Sequence, residues 1–215
     1  MRNFQKELDR ILQQLPQGAP RPTLLLHCCC APCSSYVLEY LSQFFTITVD
    51  FYNPNIAPQQ EYTHRANELQ RLIEEMPLGG AVTFREGPYE PAAFAAIAKG
   101  LETCPEGGER CFRCYELRLR QAAKLAKQGG FDWFTTTLSI SPLKNAAKLE
   151  EIGEALAQEY GVRYLPSDFK KKEGYKRSIA LSHDYGLYRQ DYCGCAFSRA
   201  AREEVKKQQA AEAQE

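Results

Sequence analysis

Apolar residues first recur at helical spacing. Phe4, Leu8, Ile11, Leu12 and Leu15 share one face, Asn3 can cap the start, and Pro16 ends a helix predicted over 3–15. Pro16 to Pro22 reads as a linker. A short apolar run over 23–26 then predicts a strand, and Val37, Leu38, Leu41 and Phe44 give a helix from about Ser34. The pattern repeats. Phe45 to Tyr52 is dense in Phe, Thr, Ile and Val and reads as a strand, closed by the turn Asn53-Pro54-Asn55. A long helix with Ala66, Leu69, Leu72, Ile73 and Met76 on one side stops at Pro77. A strand over 81–85 and a helix over 91–99 follow.

After an irregular polar stretch, Gly100 to Arg110, another helix runs to Gly129-Gly130. Trp133 to Thr137 is a strand, and Leu149, Ile152 and Leu156 mark a helix closed by Gly161. Arg163 to Leu165 is a fifth strand, 175–184 a helix, and a polar, Ala-rich helix ends the chain, fraying by about Gln208. Five alternations of strand and helix define an α/β fold, a parallel sheet with helices on both faces. Such sheets bind ligands in the crevice beyond the carboxyl ends of their strands. The loops there are 27–33, 53–58, 87–91, 138–144 and 166–174. Three units are expected: an N-terminal helix and linker (1–22), an α/β domain (23–199) and a polar tail (200–215).

The chemistry lies in sulfur. His27-Cys28-Cys29-Cys30-Ala31-Pro32-Cys33 puts four thiols within six residues, at the first strand's end. Cys111 and Cys114 stand at i, i+3 at a helix start, on one face, and Cys193-Gly194-Cys195 forms a third group. Clustered thiolates select Zn, Cu(I) or iron–sulfur units. The central expectation is that the three segments converge on one metallocentre. A 4Fe–4S cluster takes four thiolates and a structural zinc four ligands, so seven candidates leave three for a second metal or a redox pair. Adjacent Cys29 and Cys30 should diverge in extended backbone and reach different metals. Cys28, at the strand end, is expected to point into the core, and Cys104 stands apart. A zinc-binding module and thiol–disulfide chemistry at Cys30-Ala31-Pro32-Cys33 stay open.

The bulk numbers add limits. At 215 residues the chain buries a full core without disulfides. Its 27 basic and 27 acidic side chains cancel, so any nucleic-acid contact must be local, for instance at Lys170-Lys171-Lys172 with Lys176 and Arg177. No run approaches transmembrane length and no signal-peptide core is seen, so a cytoplasmic protein with reduced thiols and no membrane partner is expected. Neither G-x-G-x-x-G after the first strand nor G-x-x-x-x-G-K-[ST] occurs, which argues against NAD or ATP in the crevice. Tyr52, Asn53 and Asn55 could stack on or hydrogen-bond a base there, and Thr135-Thr136-Thr137-Leu138-Ser139 could donate hydroxyls. His27 could shuttle a proton.

The order of motifs resembles epoxyqueuosine reductases of the QueH type. It rests on His27 to Cys33, Phe51-Tyr52-Asn53-Pro54-Asn55-Ile56, Arg110 to Cys114, Thr136-Thr137-Leu138 with Ser141-Pro142 and Lys144-Asn145, and Tyr188 to Cys195. It covers about 23–198. The resemblance implies a Rossmann-like (HUP-type) fold, removal of the epoxide oxygen of epoxyqueuosine at the wobble base of tRNA, a 4Fe–4S cluster and a second metal, iron or zinc, beside it. The implied ligands are Cys29, Cys30, Cys33, Cys111, Cys114, Cys193 and Cys195, undivided between the two centres. His27, Tyr115 and Asp191 are the candidate proton donors. Tyr52, Asn53, Asn55, Thr137, Ser139, Lys144 and Arg189 are the candidate substrate contacts. The implied partners are tRNA and an electron donor such as ferredoxin or flavodoxin. An iron–sulfur-dependent tRNA thiolase is the alternative enzyme.

Overall fold

The computed structural model describes residues 2–16 and 20–212. The linker at 17–19 and the last three residues of the tail lie outside that range. Helix α1 (Phe4–Gln14) begins as expected, with the Asn3 side chain accepting from the Lys6 N–H. Five strands follow: β1 (Thr23–His27), β2 (Thr46–Phe51), β3 (Val82–Glu86), β4 (Trp133–Thr136) and β5 (Arg163–Tyr164). They form one parallel sheet in the order β3-β2-β1-β4-β5. The chain runs outward from β1 to β3, then returns to β4 on the other side of β1. Strand order therefore reverses between β1 and β4, and the crevice opens at their carboxyl ends.

The helices between the strands are α2 (Ala31–Leu41), α3 (Gln59–Glu75), α4 (Pro91–Ala98), α5 (Glu109–Gln128) and α6 (Ala146–Tyr160). Two more follow β5: α7 (Gly174–Asp184) and α8 (Ala196–Glu212). Strand alternation divides the core into two layers. Leu24, Leu26 and Cys28 pack with Leu8 of α1, Val37 and Leu38 of α2 and Leu69 of α3. Leu25 faces the other layer, with Leu119 and Ala122 of α5 and Leu149 of α6. β1 is covered on both faces, as a central parallel strand must be. Cys28 continues the alternation into the core, where it is fully buried.

Most boundaries shift by a residue from the sequence reading, and two shift further. α2 starts at Ala31 rather than near Ser34, because Pro32 suits a first helical turn, where no N–H is needed. Cys33 therefore stands on a helix rather than in the loop. α8 runs to Glu212, beyond the expected fraying at Gln208, through residues of high helix propensity.

Candidate metal centre

The first thiol group is built by the β1–α2 junction. The Cys28 N–H donates to the Asp50 carbonyl (3.0 Å), extending the β1–β2 ladder, and the Asn53 amide donates to the Cys28 carbonyl (2.8 Å). The chain bends at Cys29, and Cys30 in extended backbone leads into α2. The bend changes the expected geometry: the Cys29 and Cys30 sulfurs do not diverge but lie 3.8 Å apart. Cys33, in the first turn of α2, joins them, and all three sulfurs lie within 4.8 Å of one another. Among the described residues this triad is the one His/Cys/Asp/Glu group that close, and a metal ion could be held there. The three thiols differ in acidity. Hydrogen bonds from Cys29 and Cys33 hold the Cys30 thiol well below its ordinary value. The same bond to Cys30 pushes Cys29 up to about 12, and Cys33 is raised by both neighbours.

The second group draws on distant segments. Cys111 and Cys114 occupy the first turns of α5, and Cys193 and Cys195 flank Gly194 just before α8. These four border a small cavity of about 20 Å³, together with Asn55, Tyr115, Arg118 and Lys144. A larger cavity of about 350 Å³ lies beside the triad, bordered by Cys29, Cys33 and Cys193. The two cavities share Glu106, Arg118, Lys144 and Cys193. The three cysteine segments thus border two adjoining spaces. Cys104 borders neither, and its sulfur sits close to Gly108.

The remaining candidates separate by position. His27 is fully buried between the Thr136 hydroxyl (2.8 Å) and the Tyr52 carbonyl (3.2 Å). Burial, then the nearby Arg118 charge, lower it to about 3, so it is neutral. Tyr115 borders the small cavity, with a buried hydroxyl that has no hydrogen-bond partner. Burial raises it to about 12 and keeps it protonated. Asp191 lies on the rim of the larger cavity, exposed and tied to Lys206 and Arg202 of α8, which hold it ionised. Tyr52 donates to Glu90 (2.9 Å) and borders neither cavity. Asn53 supports the loop, as above. Asn55 turns an unpartnered amide oxygen among the atoms around the small cavity. Thr137 and Ser139 are fully buried, Ser139 sharing a hydrogen bond with the Ser167 hydroxyl (3.2 Å). Lys144 reaches both the Cys193 sulfur and Glu106 at 3.2 Å. Burial opposes its charge, but Cys193, Tyr115 and Glu106 outweigh that and raise it. Arg189 borders the larger cavity and donates to the Ser182 hydroxyl (3.2 Å).

Four contributors went unread in the sequence: Arg65, Glu106, Arg118 and Tyr175. Arg65 on α3 is buried, pairs with Glu61, and donates to the Cys193 carbonyl (3.1 Å). Arg118 follows Cys111 and Cys114 at i+7 and i+4 on α5, and that stripe could have revealed it. Of the basic run, Lys170, Lys172, Lys176 and Arg177 pair with Asp168, Asp9, Glu173 and Glu39. No helix among the described residues is long and apolar enough to cross a membrane.

A doubly wound α/β sheet with a thiol triad at its switch point defines a Rossmann-like protein with a candidate metal centre. A sequence profile described as "Epoxyqueuosine reductase QueH" matches residues 24–201. A relative of that name from Staphylococcus epidermidis is 45% identical over 200 residues, covering 91% of this chain and 84% of that protein. One from Streptococcus pyogenes is 44% identical over 196 residues (88% and 77%), and one from Thermotoga maritima 35% over 187 (85% and 93%). The chain belongs to the epoxyqueuosine reductase QueH family, a family of oxidoreductases.

Proposed function

We propose that this chain removes the epoxide oxygen of epoxyqueuosine in tRNA, with electrons supplied through a 4Fe–4S cluster and a second metal, iron or zinc, beside it. The observation that carries the reading is the gathering of seven thiols at adjoining cavities: the triad Cys29, Cys30 and Cys33 beside the larger one, the other four around the smaller one, with Cys193 bordering both. Three unpartnered polar groups at the small cavity (Asn55 Oδ1, Tyr115 Oη and Arg118 Nη2) fit an occupied rather than an empty space. The quartet Cys111, Cys114, Cys193 and Cys195 suits a four-thiolate cluster. The triad Cys29, Cys30 and Cys33 suits a metal with one position left for substrate.

Epoxide to alkene takes up two electrons and two protons and releases water. When bound, the cluster supplies electrons one at a time and the second metal an electrophilic position for oxygen. The protein must supply the rest. Of the three candidates Tyr115 alone holds a proton at a buried group bordering a cavity, on the quartet's side, whereas His27 is neutral and enclosed and Asp191 is ionised at the rim; the two protons for the oxygen leaving beside the triad enter from solvent through the larger cavity. Lys144, cationic between the cavities, favours negative charge developing on the departing oxygen. Leu143 (72% exposed) and Tyr175 (38% exposed) stand at the mouth of the larger cavity, where an unstacked base can lie against them. Thr137 and Ser139 shape the wall rather than meet the substrate. A ferredoxin or flavodoxin delivers the electrons, and the enzyme works on tRNA in the cytoplasm.

The test is anaerobic reconstitution with iron and sulfide, a chemical reductant, and tRNA carrying epoxyqueuosine. The expected product is a nucleoside one oxygen atom lighter. A colourless protein that retains stoichiometric zinc and leaves the tRNA unchanged would refute the assignment.

A further inference from the structure

Arg118 is 1% exposed, one of the two largest fully buried side chains in the molecule. Its Nε donates to the Cys114 carbonyl (3.1 Å) and one terminal nitrogen to Asn53 Oδ1 (3.5 Å). The other terminal nitrogen, Nη2, is buried with no partner. No carboxylate pairs with it among the described residues. The comparison with its neighbours is direct: Arg65 has Glu61 and Lys144 has Glu106. A buried, unpaired guanidinium is strongly unfavourable unless an anion belongs beside it. Beyond the Tyr115 ring, 6.0 Å away, its surroundings on the cavity sides include sulfur, since it borders the small cavity with Cys114 and Cys193 and the larger one with Cys29 and Cys193. Unlike a lysine or histidine, it cannot shed its proton to escape burial.

We propose that Arg118 is the fixed counter-charge shared by both thiol groups, a positioning residue that sets the electron affinity of whatever metal group the quartet holds. This deepens the metalloreductase reading and rests on it. Each electron added makes a thiolate-bound group more negative, and a permanent positive charge in a site shielded from water favours that reduced form. The planar fork, held at Nε and Nη1, leaves Nη2 to donate toward sulfur, and hydrogen bonds to cluster sulfurs raise reduction potentials. Because it touches both cavities, the same charge also favours anionic thiolates in the triad.

The experiment uses the full chain reconstituted anaerobically with iron and sulfide. Iron and sulfide contents are measured, and the midpoint potential is read by dye-mediated titration followed by EPR, without tRNA. Arg118→Gln is expected to load iron yet titrate at a more negative potential than the unaltered protein. Arg118→Lys is expected to return most of that shift, and Arg113→Gln, on the exposed side of α5, to leave the potential unchanged. An unshifted potential in a loaded Arg118→Gln protein overturns the proposal. If Arg118→Gln fails to load, Arg118→Lys decides: loading equal to the unaltered chain supports a charge role, and failure equal to that of Arg118→Gln overturns it. A protein that shows the shift but leaves epoxyqueuosine tRNA untouched would refute the functional reading and not this one.

Discussion

The triad and the quartet reach similar thiol density by opposite routes. Cys29, Cys30 and Cys33 come from one stretch of five residues, clamped by the β1–β2 ladder below and by α2 above. Their geometry is set by local backbone. Cys111, Cys114, Cys193 and Cys195 come from segments about 80 residues apart, and only tertiary contacts bring them together. Two of those contacts are cationic: Arg65 of α3 on the Cys193 carbonyl and Lys144 on the Cys193 sulfur. The triad should therefore fail through loss of a ligand and the quartet through displacement of its frame.

The largest expected effect lies within the first stretch. Cys30→Ser replaces the triad's most acidic thiol and should abolish triad metal binding and lower turnover by at least about a thousandfold, since a hydroxyl is a poor ligand for a soft metal. Cys28→Ala, two residues away, should cost about 1 kcal/mol of stability and leave metal content unchanged, because Cys28 only fills the core. Metal analysis and urea unfolding of the two variants make the contrast. Equal metal loss in both would mean that the cluster of sulfurs acts as one packed unit rather than as chosen ligands.

Next comes the quartet's frame. Gly194 has φ +124°, and an added Cβ would lie 3.0 Å from Ile56 Cγ1 and 3.1 Å from Arg65 Nη1. Gly194→Ala meets both backbone strain, about 1–3 kcal/mol, and a crowded neighbour. It leaves every ligand in place. Iron retention against a chelator should fall roughly tenfold to a hundredfold, with the triad's metal retained. Unchanged retention would show that the quartet tolerates movement and does not depend on a rigid frame.

How much of this could be read in advance differs by region for the same reason. The five strands and their helices follow from local pattern, which in β1 is the unbroken apolar run Leu24, Leu25 and Leu26 of a strand covered on both faces, and the inward Cys28 follows from its place at that strand's end. Strand alternation predicts that Cys29 and Cys30 diverge, but a single bend outweighs that alternation and brings their sulfurs together. Arg65 and Arg118 do not stand out in the sequence, because arginine on a helix is ordinarily a solvated charge. Only tertiary packing puts them inside. Thr137 and Ser139 looked like available hydroxyls, yet the chain leaves β4 in a 3₁₀ turn (Thr137–Ile140) that buries both.

A smaller effect is expected at the mouth of the larger cavity. Tyr175→Ala removes one stacking surface while leaving both thiol groups alone. Base–aromatic stacking is worth about 1–3 kcal/mol, and for a half-exposed ring the lower end applies, so KM for tRNA should rise about fivefold with kcat unchanged. A fall in kcat at constant KM would instead place Tyr175 in the wall that supports the triad.

The smallest effect on turnover, and the one that separates the regions by pH, concerns Glu150. Its Oε1 accepts from the Ser167 N–H (3.1 Å) and the Tyr164 hydroxyl (3.2 Å), and Ser167 in turn holds Ser139, so this carboxyl anchors the 3₁₀ turn whose Leu138 and Ile140 border the larger cavity. Burial pushes it from 4.5 up to about 8, against the pull of those two hydrogen bonds. The folded-state value lies above the unfolded one, so the neutral carboxyl's stabilisation is complete below about 4.5. It is lost as pH rises to about 8, at about 1.4 kcal/mol per pH unit if nothing relaxes. Glu150→Gln keeps the accepting oxygen and removes the titration. Its stability relative to the unaltered chain, read from urea midpoints between pH 5 and 9, should therefore climb through that window and level off above it, with turnover at pH 7 within about twofold. Arginines do not titrate in this range, so iron retention by the quartet should not follow the same curve. A stability difference that stays constant with pH would mean that Glu150 is ionised throughout, and that the wall of the larger cavity, like the quartet, rests on fixed charge.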